Sequence, residues 1–175
     1  SLAGNFAQKA LMSRGIDPET VVRLGIYTGR TVQAENGETS VVPDDGGNIV
    51  VFPFIERGHT VAEKYRAAGK KFWQRKDGRR TFWNSDVLDD PALESFPLII
   101  TEGEIDALTA IDCGFPLTVS VPDGAPAVRD GENPEELEDV DPERERDGKF
   151  EFVWNNRERI KRIGRFILAV DNDAP

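Results

Sequence analysis

One cysteine and one histidine occur in the 175 residues, and that scarcity removes more chemistry than any other feature of the composition. A lone Cys113 cannot form an internal disulfide, which fits a reducing cytoplasm. With only His59 beside it, no Cys/His zinc site can be assembled. Any metal held by these residues is therefore a hard cation on carboxylates. No run of about 18 apolar residues exists, so no segment reads as a membrane-spanning helix. The first residues, SLAGNFAQKALMSRG, lack the cationic start, apolar middle and small-residue cleavage site of a signal peptide. Tyrosine is almost as scarce, with Tyr27 and Tyr65 alone.

What is present suits one domain of ordinary size, or two small subdomains sharing a core: 38% apolar residues, ten of them Phe. The net charge of −10 argues at first against nucleic acid, but it is unevenly spread. Residues 57–80 hold nine Lys or Arg (among them Lys64, Arg66, Lys70 and Lys71) and two acids, a local +7. Residues 123–147 hold eleven acids and three Arg, a local −8. A basic stretch on an acidic protein is what phosphate binding by one face looks like. A solvated hairpin of alternating charge has the same composition.

Two short helices open the chain. NFAQKALMSRG has helical spacing and a glycine stop at Gly15; DPETVVRLG has Asp17 as N-cap, Pro18 at the first helical position and Gly25 at its end. Strand-like stretches follow in IYTGRTVQA, TSVVP and NIVVFPFI, with ERGH turning the chain back into TVAEKYRAAG. KKFWQRKDGRRTFWN reads as a basic, aromatic hairpin around Asp77-Gly78. This first half, residues 1–95, is predicted to be a small, mostly antiparallel α+β unit with a basic face.

Beyond it the character changes. LIIT and LTVSVP read as short buried strands, and RFILAV as a third. Ile105, Leu108 and Ile111 form a helical stripe that ends at Gly114, and FVWNNRERIKRIG is a further helical stretch. Buried strands alternating with helices predict a parallel α/β sheet over residues 96–175. Residues 123–149 read as a long polar loop.

In parallel sheets, ligands collect at the carboxyl ends of the strands. Two of these strands end in acids: LIIT in Glu102, and RFILAV in Asp171-Asn172-Asp173. Side chains alternate along an extended chain, so Asp171 and Asp173 leave on one side. If the strands are neighbours, Glu102 meets that pair at the sheet edge. Such a set suits Mg²⁺ or Mn²⁺, which take a few carboxylates together with water and phosphate oxygens. Asp106, one helical turn past Glu102, is a candidate supporter of the site; Glu104 reads as a surface residue. A glutamate before a helix is also simply favourable at the positive helix end.

These residues resemble a family. LIITEGEIDALTA is similar to the first motif of the TOPRIM domain, and ILAVDNDAP to its second, in the form found in bacterial-type and phage-type DNA primases. SVPDGAP, FVWNN and DNDAP resemble stretches of the primase half of phage primase–helicases and of Twinkle-type proteins, as do LMSRGIDPETVVRLGIYTG, NIVVFPFIERGHTVAEKYR and KKFW in the first half. The resemblance covers nearly the whole chain. It implies a TOPRIM fold, a parallel Rossmann-like sheet with flanking helices, preceded by a small α+β primase subdomain.

By position, the resemblance implies Glu102 in acid/base chemistry or metal binding, Asp171 and Asp173 as Mg²⁺ or Mn²⁺ ligands, and Lys64, Arg66, Lys70 and Lys71 as contacts to nucleotide phosphates and template. It implies a DNA primase that extends ribonucleotide primers on single-stranded DNA, in the cytoplasm of a bacterial or phage-infected cell, together with a helicase domain or partner. Neither zinc ligands nor a Gly-x-x-x-x-Gly-Lys-Ser/Thr loop occurs in these residues, so the chain is expected to be a piece of a larger primase or primase–helicase. Two alternatives remain open. One is a TOPRIM nuclease or topoisomerase-like domain, the latter needing a nucleophilic tyrosine. The other is a non-catalytic single-strand-binding module in which Phe72, Trp73, Phe82 or Trp83 stacks on bases.

Overall fold

The structure, a computed structural model, describes residues 5–123 and 150–170. It divides into two compact units. One runs to Arg79 and includes Leu108–Pro116; the other comprises Arg80–Ala107 and the residues from Leu117 onward.

The first unit opens with the two expected helices, α1 (Phe6–Met12) and α2 (Pro18–Arg23). Asn5 caps α1 through its side-chain oxygen, which accepts from the Gln8 amide at 3.1 Å; Asp17 caps α2 by accepting from Glu19 at 2.8 Å. The strands β1 (Tyr27–Gln33), β2 (Thr39–Pro43), β3 (Ile49–Glu56), β4 (His59–Ala67) and β5 (Lys71–Gln74) form one antiparallel sheet in the order β2-β1-β3-β4-β5. Apolar β3 lies at its centre, and α1 packs over β3 and β1. On the other face, Ile49, Val51 and Tyr65 form a small core with Tyr27, Val41 and Trp73 around them.

One expectation fails here. The chain turns at Asp77-Gly78, with Asp77 at φ +58°, but among the described residues β5 pairs with β4 alone. Instead the backbone runs beside β4, where Arg75 donates to the Glu63 carbonyl and Arg79 to that of Val61. Phe82 and Trp83 then enter the second unit's core, where Phe82 meets Phe152 edge-on at 4.8 Å between ring centres and Trp83 bridges Ser120. Burial of two large aromatics outweighs the few backbone bonds that a hairpin would have made.

The second unit holds a parallel three-stranded sheet, β7-β6-β8, from β6 (Leu98–Thr101), β7 (Thr118–Ser120) and β8 (Phe166–Ala169). Helix α3 (Glu104–Asp112) follows β6 directly. The predicted helical stretch after residue 150 is two short helices, α4 (Glu151–Asn155) and α5 (Arg157–Ile160), broken at Asn156. The break has a cause. Asn156 is buried, and its amide donates to the Thr81 hydroxyl at 3.0 Å and to the Phe152 carbonyl at 2.8 Å. Arg159 then ties α5 to the 3-10 segment Ser85–Asp89, gripping both oxygens of Asp89.

β8 departs from expectation more sharply. RFILAV reads as a buried strand, yet Phe166–Ala169 is exposed along its whole length, with Leu168 at 69%. It borders β6 alone among the described residues.

Candidate functional site

The β6-α3 turn places the acids. Thr101, the last residue of β6, is buried, and its hydroxyl lies 3.1 Å from the Gly103 carbonyl and 3.3 Å from that of Val119. Its single proton serves one of these acceptors at a time, tying the turn to itself or to β7. The Asp106 carboxylate lies back over Gly103: a Cβ on that glycine would stand 2.9 Å from Asp106 Oδ2, a clash that rotation of the exposed aspartate relieves.

The three clustered carboxylates differ in environment. Glu102 is half-buried at the strand end, and Asp106 is exposed. Glu104, expected at the surface, is buried at 4%. It occupies the first helical position, where the backbone turns its side chain inward beside Ala107 and Leu108, both buried. Periodicity could have revealed this: Glu104 is three and four residues before the buried stripe, on the same face of α3.

β6 and β8 are hydrogen-bonded parallel neighbours, with Thr101 paired to Ala169. Glu102 leaves one strand and Val170 the other at the same level. Asp171 and Asp173 follow in sequence and lie outside the described residues, as does the acidic stretch from residue 124 onward. Among the described residues, no group of three or more His, Cys, Asp or Glu is gathered closely enough to hold a metal ion. The charged groups next to the end of β6, Glu102 and Asp106, are carboxylates, the donor type that a hard cation takes. One further polar group at this end escaped the sequence reading. The Ser120 hydroxyl, on β7 level with Thr101, is buried and has no hydrogen-bond partner among the described residues.

The cations of residues 57–80 are sorted by the sheet. Arg75 lies 3.6 Å from Glu63, Arg79 lies 2.9 Å from Glu56, and Arg80 is bonded to Asp123. Lys64 and Arg66, two apart on β4, share a face with Phe72 of β5, and Arg66 is its direct cross-strand partner. Lys71 is exposed and pairs with Ala67, so it lies on the opposite face. Lys70 falls in the 3-10 turn Ala68–Lys70 that joins β4 to β5. The four predicted phosphate contacts are thus not one cluster: Lys64 and Arg66 are brought together, and Lys71 is not with them. Of the four aromatics considered for stacking, Phe82 and Trp83 are core residues. Phe72 is 48% exposed.

Both tyrosines donate to one carboxylate, the Tyr27 hydroxyl to Glu63 Oε1 and the Tyr65 hydroxyl to Glu63 Oε2, each at 2.8 Å. Burial, reinforced by these bonds and by the Glu63 charge, holds both phenols well above the ordinary tyrosine value. No helix among the described residues is long and apolar enough to cross a membrane.

No family model matches the chain. It is 37% identical over 128 residues to the Twinkle homolog protein, chloroplastic/mitochondrial, of Arabidopsis thaliana, an alignment covering 73% of this chain and 16% of that relative. It is 32% identical over 149 residues to the Primase homolog protein of the same plant, covering 85% of this chain and 40% of the relative. The chain therefore spans less than half the length of these curated relatives. Its fold is similar to the primase fragment of the Bacteriophage T7 primase-helicase protein, with a TM-score of 0.59 at 20% identity over 98% of this chain and 56% of that one. It is also similar to the DnaG primase catalytic domain bound to ssDNA, with a TM-score of 0.53 at 16% identity over 97% of this chain and 67% of that one. At these identities the structural likeness speaks for the fold, a mixed α/β arrangement shared with primase catalytic cores. Sequence relatives and fold neighbours agree, and the chain belongs to the TOPRIM-primase family, related to the Twinkle-type proteins.

Proposed function

We propose that this chain is the catalytic core of a DNA primase, which builds short RNA primers on single-stranded DNA by metal-dependent nucleotidyl transfer. One observation carries the reading: Glu102 leaves the carboxyl end of β6, and the strand leading to Asp171 and Asp173 is the hydrogen-bonded parallel neighbour of β6. Carboxylates delivered by adjacent strands to one sheet end are the donor set that Mg²⁺ or Mn²⁺ requires. Glu102, Asp171 and Asp173 would hold the ion, with Asp106 behind them. A divalent cation bound there lowers the pKa of an attacking hydroxyl and neutralises charge on the phosphates.

In the reaction a primer 3′-hydroxyl attacks the α-phosphate of an incoming ribonucleotide. One phosphorus–oxygen bond forms, and the bond to the β-phosphate bridge breaks, with pyrophosphate taking the electron pair. Glu102 would take up the hydroxyl proton. Lys64, Arg66, Lys70 and Lys71 supply positive charge for nucleotide and template phosphates. The T7 primase-helicase among the fold neighbours supports association with a helicase, as a domain of the same protein or as a partner. The tyrosines speak against a topoisomerase-like alternative. Both are hydrogen-bonded donors with raised pKa, the opposite of an activated nucleophile.

Primer synthesis on single-stranded template with Mg²⁺ or Mn²⁺ tests the reading. Asp171→Ala and Glu102→Gln are each expected to lower primer yield on the order of 100-fold or more, with template binding retained. Full yield from Asp171→Ala would overturn the proposal, and template cleavage without synthesis would replace it with a nuclease.

A further inference from the structure

Within residues 72–83 the aromatic side chains have two fates. Phe82 and Trp83 are core residues, and Trp73 packs tilted against Tyr65 at 5.4 Å on one face of the antiparallel sheet. Phe72 points to the other face and keeps 48% of its surface in water. Leaving such a ring exposed forgoes about 25 cal/mol for each square ångström of apolar surface not buried. Two cations flank it: the Arg66 guanidinium carbon lies 4.9 Å from the ring centre and the Lys64 ammonium 6.0 Å. Register produces this arrangement. Arg66 is directly opposite Phe72, and Lys64 is the next residue on the same face of β4.

We infer that Phe72 is a stacking platform for a nucleobase, with Arg66 and Lys64 holding the phosphates of the same single-stranded nucleic acid. The chemistry of the pair selects this occupant. A ring bounded by guanidinium and ammonium groups complements a base attached to a phosphodiester, because every base has a π-face and every linkage a negative charge. A purely apolar protein surface would complement the ring but leave two cations to be desolvated. The inference rests on the nucleic-acid reading above and assigns Phe72 a role in positioning the strand, separate from the carboxylates that carry the chemistry.

Binding of a fluorescent single-stranded oligothymidylate, measured by anisotropy across a salt series, separates the contributions. Phe72→Ala is expected to weaken binding about ten-fold while leaving the slope of affinity against salt unchanged. Phe72→Trp should restore it. Arg66→Ala should instead reduce the slope by about one. On an oligonucleotide of abasic sites, Phe72→Ala should bind like the parent. Phe72→Leu keeps an apolar side chain at the same exposed place, so its fold is secure; binding equal to the parent in that variant, or in Phe72→Ala, overturns the inference. Primer synthesis keeps the two proposals apart. Full-length protein that binds strands without making primers, and loses affinity in Phe72→Ala, sinks the primase reading alone. A parent that makes primers with unaltered strand affinity in Phe72→Ala sinks the platform alone.

Discussion

Two apolar strands with nearly the same sequence signature meet opposite fates. NIVVFPFI becomes β3, buried from Ile49 to Phe54, while RFILAV becomes β8, exposed from Phe166 to Ala169. The difference lies in their neighbours. β3 has β1 on one side, β4 on the other and α1 across a face. β8 has β6 along one edge alone among the described residues. An apolar run therefore states a demand for cover, and the topology decides whether the demand is met. β8 leads in sequence to Asp171 and Asp173, and among the described residues that strand is held by β6.

The sharpest way to break this comparison is to truncate one side chain on each strand. Phe52→Ala is expected to cost about 3–5 kcal/mol and Leu168→Ala under about 1 kcal/mol, read from urea unfolding curves of both variants. Equal losses would mean that β8 is covered in solution. A smaller effect is expected at the hydrogen-bonded break between α4 and α5. Asn156→Ala deletes the donor that serves Thr81 and Phe152 and should cost on the order of 1–3 kcal/mol, with an unchanged midpoint of unfolding as the outcome against it.

The least stability is at stake in the antiparallel sheet's polar corner, where pH gives the readout. Tyr27 and Tyr65 are the only tyrosines, so the tyrosinate absorbance reports nothing else. Folded, both hold their protons above the ordinary value of about 10, by burial first and the Glu63 bonds second. Their contribution to stability is complete below that value. It declines as pH rises past it, because the unfolded chain gives up these protons first. Glu63→Gln should bring the tyrosinate transition down toward the free value; an unmoved transition would assign the whole shift to burial.

Much of this was legible beforehand, for physical reasons that can be named. The cap at Asp17 acts within two residues and needs no tertiary information. The parallel pairing of β6 with β7 and β8 follows from apolar runs separated by helical spacing. The burial of Glu104 was missed because a carboxylate was read by its charge rather than by its place on the face of α3. The expected hairpin after β5 failed because Phe82 and Trp83 found a better partner in residues seventy and thirty-seven positions onward, Phe152 and Ser120. No local pattern encodes such a competition.

By itself, the sequence determined most kinds of element and left one thiol and one imidazole among the possible metal donors, because propensity, period and composition are local properties. Only the tertiary structure decided which acids and cations stand where. It turned Glu104 inward, folded Asp106 back over Gly103, drew Arg75 and Arg79 into ion pairs, and set Lys64 and Arg66 around Phe72 while sending Lys71 to the other face. Charge counts along a chain add, whereas a pleated sheet divides alternate residues between two faces, and that division is what sorts a basic stretch into a surface with a direction.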